Sequence, residues 1–176
     1  EEVLKSNRNV AGFLVEPIQG EAGVYVPSAG YLSGAKALCE KYNVLFIADE
    51  VQTGIARTGS LLAVCGECTC EHKCEKQATY TQPDILMLGK ALSGGVYPVS
   101  AVFANDDVML VIKPGEHGST FGGNPIAAKV ATAALEVVDE EKLMTNARNL
   151  GNKFRQRMTE LAEKSDLVKL VRGRGL

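Results

Sequence analysis

Apolar runs and helical stripes alternate along the chain. Residues 10–15 ("VAGFLV") form a short apolar run, closed by Glu16-Pro17, and read as a strand. The stretch "IQGEAGVYVPSAGY" reads as loop. Residues 33–42 then carry Leu38, Cys39 and Tyr42 at helical spacing, continuing from Leu32 and Ala35. Residues 44–48 are a second strand, so strand, helix and strand predict a parallel pair with a right-handed crossover. Residues 85–88 predict a third strand and residues 99–104 a fourth. The link between these two is about ten residues long, whereas a parallel crossover takes a dozen or more, so the fourth strand is expected to run antiparallel. Asn124-Pro125 marks a helix start, with Asn as cap and Pro at the first helical position, and the helix should reach about Val138. Leu143, Ala147, Leu150, Phe154, Met158 and Leu161 trace one stripe of a long amphipathic helix.

The pattern predicts an α/β architecture: a mostly parallel sheet with one antiparallel strand, flanked by helices. In such sheets ligands sit beyond the carboxyl ends of the strands. Three predicted strands end in ionisable residues, at Glu16, Asp49-Glu50 and Lys90, and those ends should share one edge.

Composition changes this picture little. Hydrophobic residues make up 45% and charged residues 23%, as in an ordinary globular domain. A net charge of −2 gives no electrostatic case for nucleic acid or an anionic membrane. The apolar runs are too short to cross a bilayer. The opening "EEVLKSNRNV" is acidic and polar, unlike a signal peptide, and both ends read as internal to a longer chain.

The strand-end residues suggest chemistry. A lysine in an apolar, partly desolvated place binds its proton less tightly and becomes a usable amine nucleophile. A pyridoxal phosphate enzyme needs such a lysine, together with an acid that keeps the pyridine nitrogen protonated. Lys90 and Asp49 could supply both. "HGSTFGGNP" adds hydroxyls, glycines and a helix start, the parts of a phosphate site. Plainer readings stand beside these: a solvated loop lysine, a cap or metal ligand at the Asp49-Glu50 pair, and a turn with an N-cap at residues 119–124. A divalent ion held by Glu16, Asp49 and Glu50 is a second chemistry, and a binding module organised by cysteines a third.

The segments "FLVEPIQGEAGV", "LFIADEVQTGIARTG", "LGKALSGGVYPVSAV" and "KPGEHGSTFGGNP" resemble the class III pyridoxal phosphate-dependent aminotransferases of fold type I, and among them the branch that acts on ornithine. The resemblance implies transfer of the δ-amino group of ornithine to 2-oxoglutarate, in arginine and proline metabolism. Other ω-amine enzymes, acting on acetylornithine or 4-aminobutyrate, share the central motifs. It further implies that Lys90 carries the pyridoxal 5′-phosphate covalently and later moves the proton. Asp49 matches the partner of the pyridine nitrogen, Val51 the apolar residue on the ring face, and Gln52 the side chain near the phenolic oxygen. Ser119 and Thr120 match the phosphate contact that the second subunit of a homodimer delivers. Glu21 matches the acid that pairs with an arginine and lets the δ-amine react first. Glu16 matches a more structural position. No catalytic metal is implied, and the compartment implied is the mitochondrial matrix or the cytoplasm.

On the same resemblance, residues 1–176 correspond to the C-terminal part of the cofactor-binding large domain. The N-terminal part, with its Gly-rich phosphate loop and stacking aromatic, and the small C-terminal domain have no counterpart here. The chain alone is therefore expected to be inactive. Residues 65–76 ("CGECTCEHKCEK") stand where the family has a short link. Cys65, Cys68, Cys70 and Cys74, with His72, are dense enough for zinc, and Cys65 and Cys68 form a C-x-x-C pair suited to redox switching. An inert surface loop is the plain alternative.

Overall fold

The computed structural model describes residues 1–66 and 80–176. The expectations attached to Cys68, Cys70, His72 and Cys74 lie outside the described residues. In chain order the elements are α1 (Glu2–Ser6), β1 (Gly12–Val15), α2 (Tyr31–Tyr42), β2 (Leu45–Asp49), β3 (Ile85–Leu88), β4 (Ala101–Ala104), α3 (Asp106–Met109), α4 (Pro125–Glu140) and α5 (Leu143–Ala162).

The strands form one sheet in the order β1-β2-β3-β4. β1 and β2 pair in parallel with Phe13 opposite Phe46, and β2 and β3 in parallel with Asp49 opposite Met87. β3 and β4 pair antiparallel, with Leu88 opposite Ala101, as the short link requires. Beneath β2 lies a core of Cys39, Val44, Phe46, Ala48 and Val64. A second core, of Ile55, Leu88, Leu92, Val138 and Met144, joins the ends of β2 and β3 to α4 and α5. That second core fixes the strand ends relative to the helices.

Helix boundaries follow local chemistry. α2 starts two residues before the expected Ser33, because Gly30 adopts a left-handed conformation (φ 83°) and turns the chain into the helix. It stops at Asn43, also left-handed, whose N–H reaches the carbonyls of Cys39 and Glu40. α4 begins as expected: Asn124 Oδ1 accepts the N–H of Ala127 at 2.9 Å, and Pro125 takes the first position.

α5 departs from the expected stripe. Its buried residues are Met144, Ala147 and Gly151, while Leu150, Phe154 and Leu161 are exposed. Gly151 sets this rotation, because the backbone of Gly175 lies against it, closer than any Cβ would allow. Among the described residues, no helix is long and apolar enough to cross a membrane.

Candidate active site

The ends of β2 and β3 build the site. Asp49 is the last residue of β2, and its Oδ1 accepts the N–H of Val51 at 3.1 Å, which curls the chain into a turn at once. The N–H of Glu50 donates to the Met87 carbonyl at 3.0 Å and holds that turn against β3. Gly89 then lets the two strand ends meet. A Cβ at Gly89 would lie 3.2 Å from Val51 Cγ1, tighter than most contacts, so the missing side chain leaves a seat for the valine. Lys90 follows directly.

Lys90 opens a 3-10 turn, Lys90–Ser93, with a φ of 42°. A non-glycine residue in the left-handed region costs about 1–3 kcal/mol and persists where its surroundings hold it. Here the Ser93 hydroxyl donates to the Lys90 carbonyl at 3.1 Å, and the Gly95 N–H donates to that hydroxyl at 3.2 Å. Ile55 (53°) and Ala56 (70°) share the left-handed conformation in the turn after Asp49. Strain is thus concentrated on both sides of the strand ends.

Lys90 and Gln52 line one cavity of about 960 Å³, walled on its far side by Val130, Ala134 and Val137 of α4. Lys90 is exposed there, whereas the sequence suggested an apolar, partly desolvated place for it. The 3-10 turn carries Lys90 off the end of β3, close in sequence to Gly94 and Gly95, which are exposed as well.

Glu50, one residue from Asp49, has a different environment. It is fully buried, and it accepts hydrogen bonds from the Thr53 hydroxyl and from the N–H groups of Ala63 (3.0 Å) and Val64 (2.8 Å). Burial pushes its carboxyl above the usual range, and these donors together with the charge of Arg174 oppose the shift without cancelling it. Glu50 therefore ties the β2 turn to residues 63–64 and is closed off from solvent. Glu16 is likewise local: its Oε2 accepts the Gly20 N–H at 3.0 Å. Among the described residues, no three His, Cys, Asp or Glu side chains gather as a metal site would require.

Glu21 and Gln52 are brought together in a way the sequence did not suggest. Gln52 Nε2 donates to Glu21 Oε1 at 2.9 Å. The amide lies across Gly20, where a Cβ would overlap the Gln52 side-chain oxygen. Ser119 and Thr120 are elsewhere, on an exposed turn, and neither lines the Lys90 cavity. The Ser119 hydroxyl accepts the Gly122 N–H at 2.9 Å, within the turn that leads into α4. Ser93 and Thr53, which anchor the two turns, were missed from sequence. Their signal was the Ser-Gly-Gly run after Lys90 and a Thr three residues past Glu50.

The donor set at the strand ends is chemically specific. A primary amine, a carboxylate, an apolar branched side chain and an amide sit on two adjoining turns. An amine and a carboxylate on adjoining turns are groups a nitrogen heterocycle with an aldehyde would call for, and of the four residues Lys90 and Gln52 line the cavity while Asp49 and Val51 do not.

Comparison with known proteins points to one family. The family description Aminotransferase class-III matches residues 1–176. The chain is 61% identical over 176 residues to the mitochondrial ornithine aminotransferase of Drosophila melanogaster, covering all of this chain and 37% of that protein. A solved acetylornithine aminotransferase from Elizabethkingia anophelis superposes with a TM-score of 0.87 at 60% identity, over 99% of this chain and 41% of that one. The ornithine aminotransferase of Toxoplasma gondii, in a structure described as having partial occupancy of PLP at its active site, gives a TM-score of 0.88 at 53% identity, over 99% and 38%. The chain thus spans well under half the length of the relatives it matches.

Proposed function

The chain belongs to the class-III aminotransferases, and on that premise we propose that it is part of a transaminase that moves the δ-amino group of ornithine to 2-oxoglutarate, giving glutamate 5-semialdehyde and glutamate. The observation that carries the proposal is the meeting of two turns at the strand ends, Asp49–Gln52 and Gly89–Ser93, across the Val51–Gly89 contact. Pyridoxal 5′-phosphate, the cofactor of this family, supplies an aldehyde that bonds to amines and a ring that accepts electron density when a substrate proton leaves.

The chain's own groups divide the remaining work. Lys90 Nζ is the amine that holds the cofactor and carries the proton off and on. Asp49 is the carboxylate that keeps the ring nitrogen protonated. Val51 packs against the ring face and Gln52 reaches the phenolic oxygen. Ser119 and Thr120 serve the phosphate of the neighbouring subunit in a homodimer, which accords with their exposed turn. Glu21 governs which substrate amine enters first. In this reading residues 1–176 are the C-terminal part of the cofactor-binding large domain, and the complete enzyme works in the mitochondrial matrix or the cytoplasm.

A second donor, N-acetylornithine, is favoured by the 60% identity to the Elizabethkingia anophelis protein. The two readings separate by kinetics on the complete enzyme. Ornithine should exceed N-acetylornithine and 4-aminobutyrate in kcat/KM by about a hundredfold, the discrimination a pocket with one misfitting polar group achieves. Equal or greater kcat/KM for N-acetylornithine would replace ornithine as the donor.

A further inference from the structure

Glu21 sits on a tight hairpin whose shape is set from outside. Gln19 and Tyr25 exchange backbone hydrogen bonds at 3.1 and 2.9 Å, and the N–H groups of Gly23 and Val24 both donate to the Gly20 carbonyl at 3.0 Å. Val24 is left-handed at φ 57°, an unfavourable conformation for a β-branched residue, so the tip does not hold this shape on its own preference. Arg172, far along the chain, grips it. Its Nε donates to the Gly23 carbonyl at 2.9 Å, and its guanidinium stacks on the Tyr25 ring, 3.9 Å from the centroid. A Cβ at Gly23 would come within 3.2 Å of Arg172 Nη2, so the glycine makes room for that grip. Gln52 holds the opposite side through its bond to Glu21.

We infer that Arg172 is a positioning residue for Glu21 and so a determinant of which amine of a diamino acid reacts. The inference rests on the proposed role of Glu21. Arg172 is suited to it because a planar guanidinium can stack and donate in a fixed direction at once, which a lysine ammonium cannot.

The test uses the complete enzyme and two donors: ornithine, and norvaline, which has the same chain with only an α-amine. Arg172→Ala should raise the norvaline-to-ornithine ratio of kcat/KM by about three- to tenfold, the range of one stacking contact plus one hydrogen bond. Glu21→Ala should raise it at least as much, and the double variant no further than Glu21→Ala alone. In the cofactor-free protein, hydrogen exchange at the Gln19 and Tyr25 amides should quicken in Arg172→Ala by a similar factor, with Arg172→Lys between it and the parent. If Glu21→Ala shifts the ratio and Arg172→Ala does not, or if the two effects add, this inference is overturned while the role of Glu21 stands. Unchanged exchange in Arg172→Ala overturns it as well. If Glu21→Ala itself leaves the ratio alone, the proposed role of Glu21 fails and the inference falls with it.

Discussion

Two adjacent acids, Asp49 and Glu50, show how a single residue step decides a role. The strand alternation points them in opposite directions. Asp49 stays at the strand end and accepts the Val51 N–H, on the turn that adjoins Gly89 and Lys90. Glu50 enters the core and satisfies two backbone N–H groups and a hydroxyl. Its raised pKa carries a sign that can be checked. The folded state holds the Glu50 proton more tightly than the unfolded chain does. Its contribution to stability is therefore full below the ordinary glutamate range and is lost as the pH rises through the raised value. Glu50→Gln removes this titration but turns an amide donor toward an N–H. Unfolding in urea should show the variant less stable by about 1–3 kcal/mol near neutral pH. The gap should widen as the pH falls, because the parent regains stability that the variant cannot. A gap that is flat with pH would show that Glu50 is not the group described.

At the scale of elements, most of the layout was legible in sequence. Strand ends marked by ionisable residues, the short link before β4 and the Asn-Pro helix start are local signals, and the structure follows them. The 3-10 turn at Lys90, the short helix α3 and the rotation of α5 were not legible. The turn and α3 are four residues each, too short to carry a helical stripe, and the rotation of α5 depends on contact between distant segments, where Gly175 meets Gly151. The ion pair that ties α2 to the sheet was hidden for the same reason. Asp84 sits just before β3, accepts from Lys36 of α2 at 2.7 Å through Oδ1, and accepts the Phe46 N–H of β2 at 2.7 Å through Oδ2. Partial burial works to lower the Lys36 pKa, but the hydrogen bonds and charges of Asp84 and Glu40 together outweigh it and the ammonium is held more firmly than usual. Asp84→Ala strands the Phe46 N–H and leaves Lys36 with Glu40 at 3.4 Å, and should cost about 1–3 kcal/mol in urea unfolding of the complete protein. Asp84→Asn, which keeps an acceptor for Phe46, should cost less. Equal losses in the two variants would show that the Phe46 bond carries none of the effect.

For the whole molecule, the distribution of apolar surface matters most. Val96 is 79% exposed and Phe121 78%, and Leu110, Val111 and Ile126 are exposed with them. Single exposed apolar residues are ordinary, but this many large ones leave apolar surface free to associate on a chain that spans well under half the length of its relatives. β1 and β4 also stand at the two edges of the sheet described here. The 176-residue polypeptide produced alone should therefore associate as its concentration rises, seen by light scattering. Supplied with pyridoxal phosphate, ornithine and 2-oxoglutarate, it should form no semialdehyde above background. Sustained turnover by that polypeptide would mean that these residues suffice for the reaction.

Lys90 is the residue on which the proposed chemistry depends most directly. Its turn is strained, anchored by Ser93 and set beside Asp49 by the Val51–Gly89 contact, and no other lysine shares that arrangement among the described residues. Reduce the complete enzyme with borohydride after loading it with pyridoxal phosphate, digest it, and map the pyridoxyl label by mass spectrometry. The label should fall on Lys90 alone, at one per chain, and vanish in Lys90→Ala. A stoichiometric label on any other lysine would contradict the account.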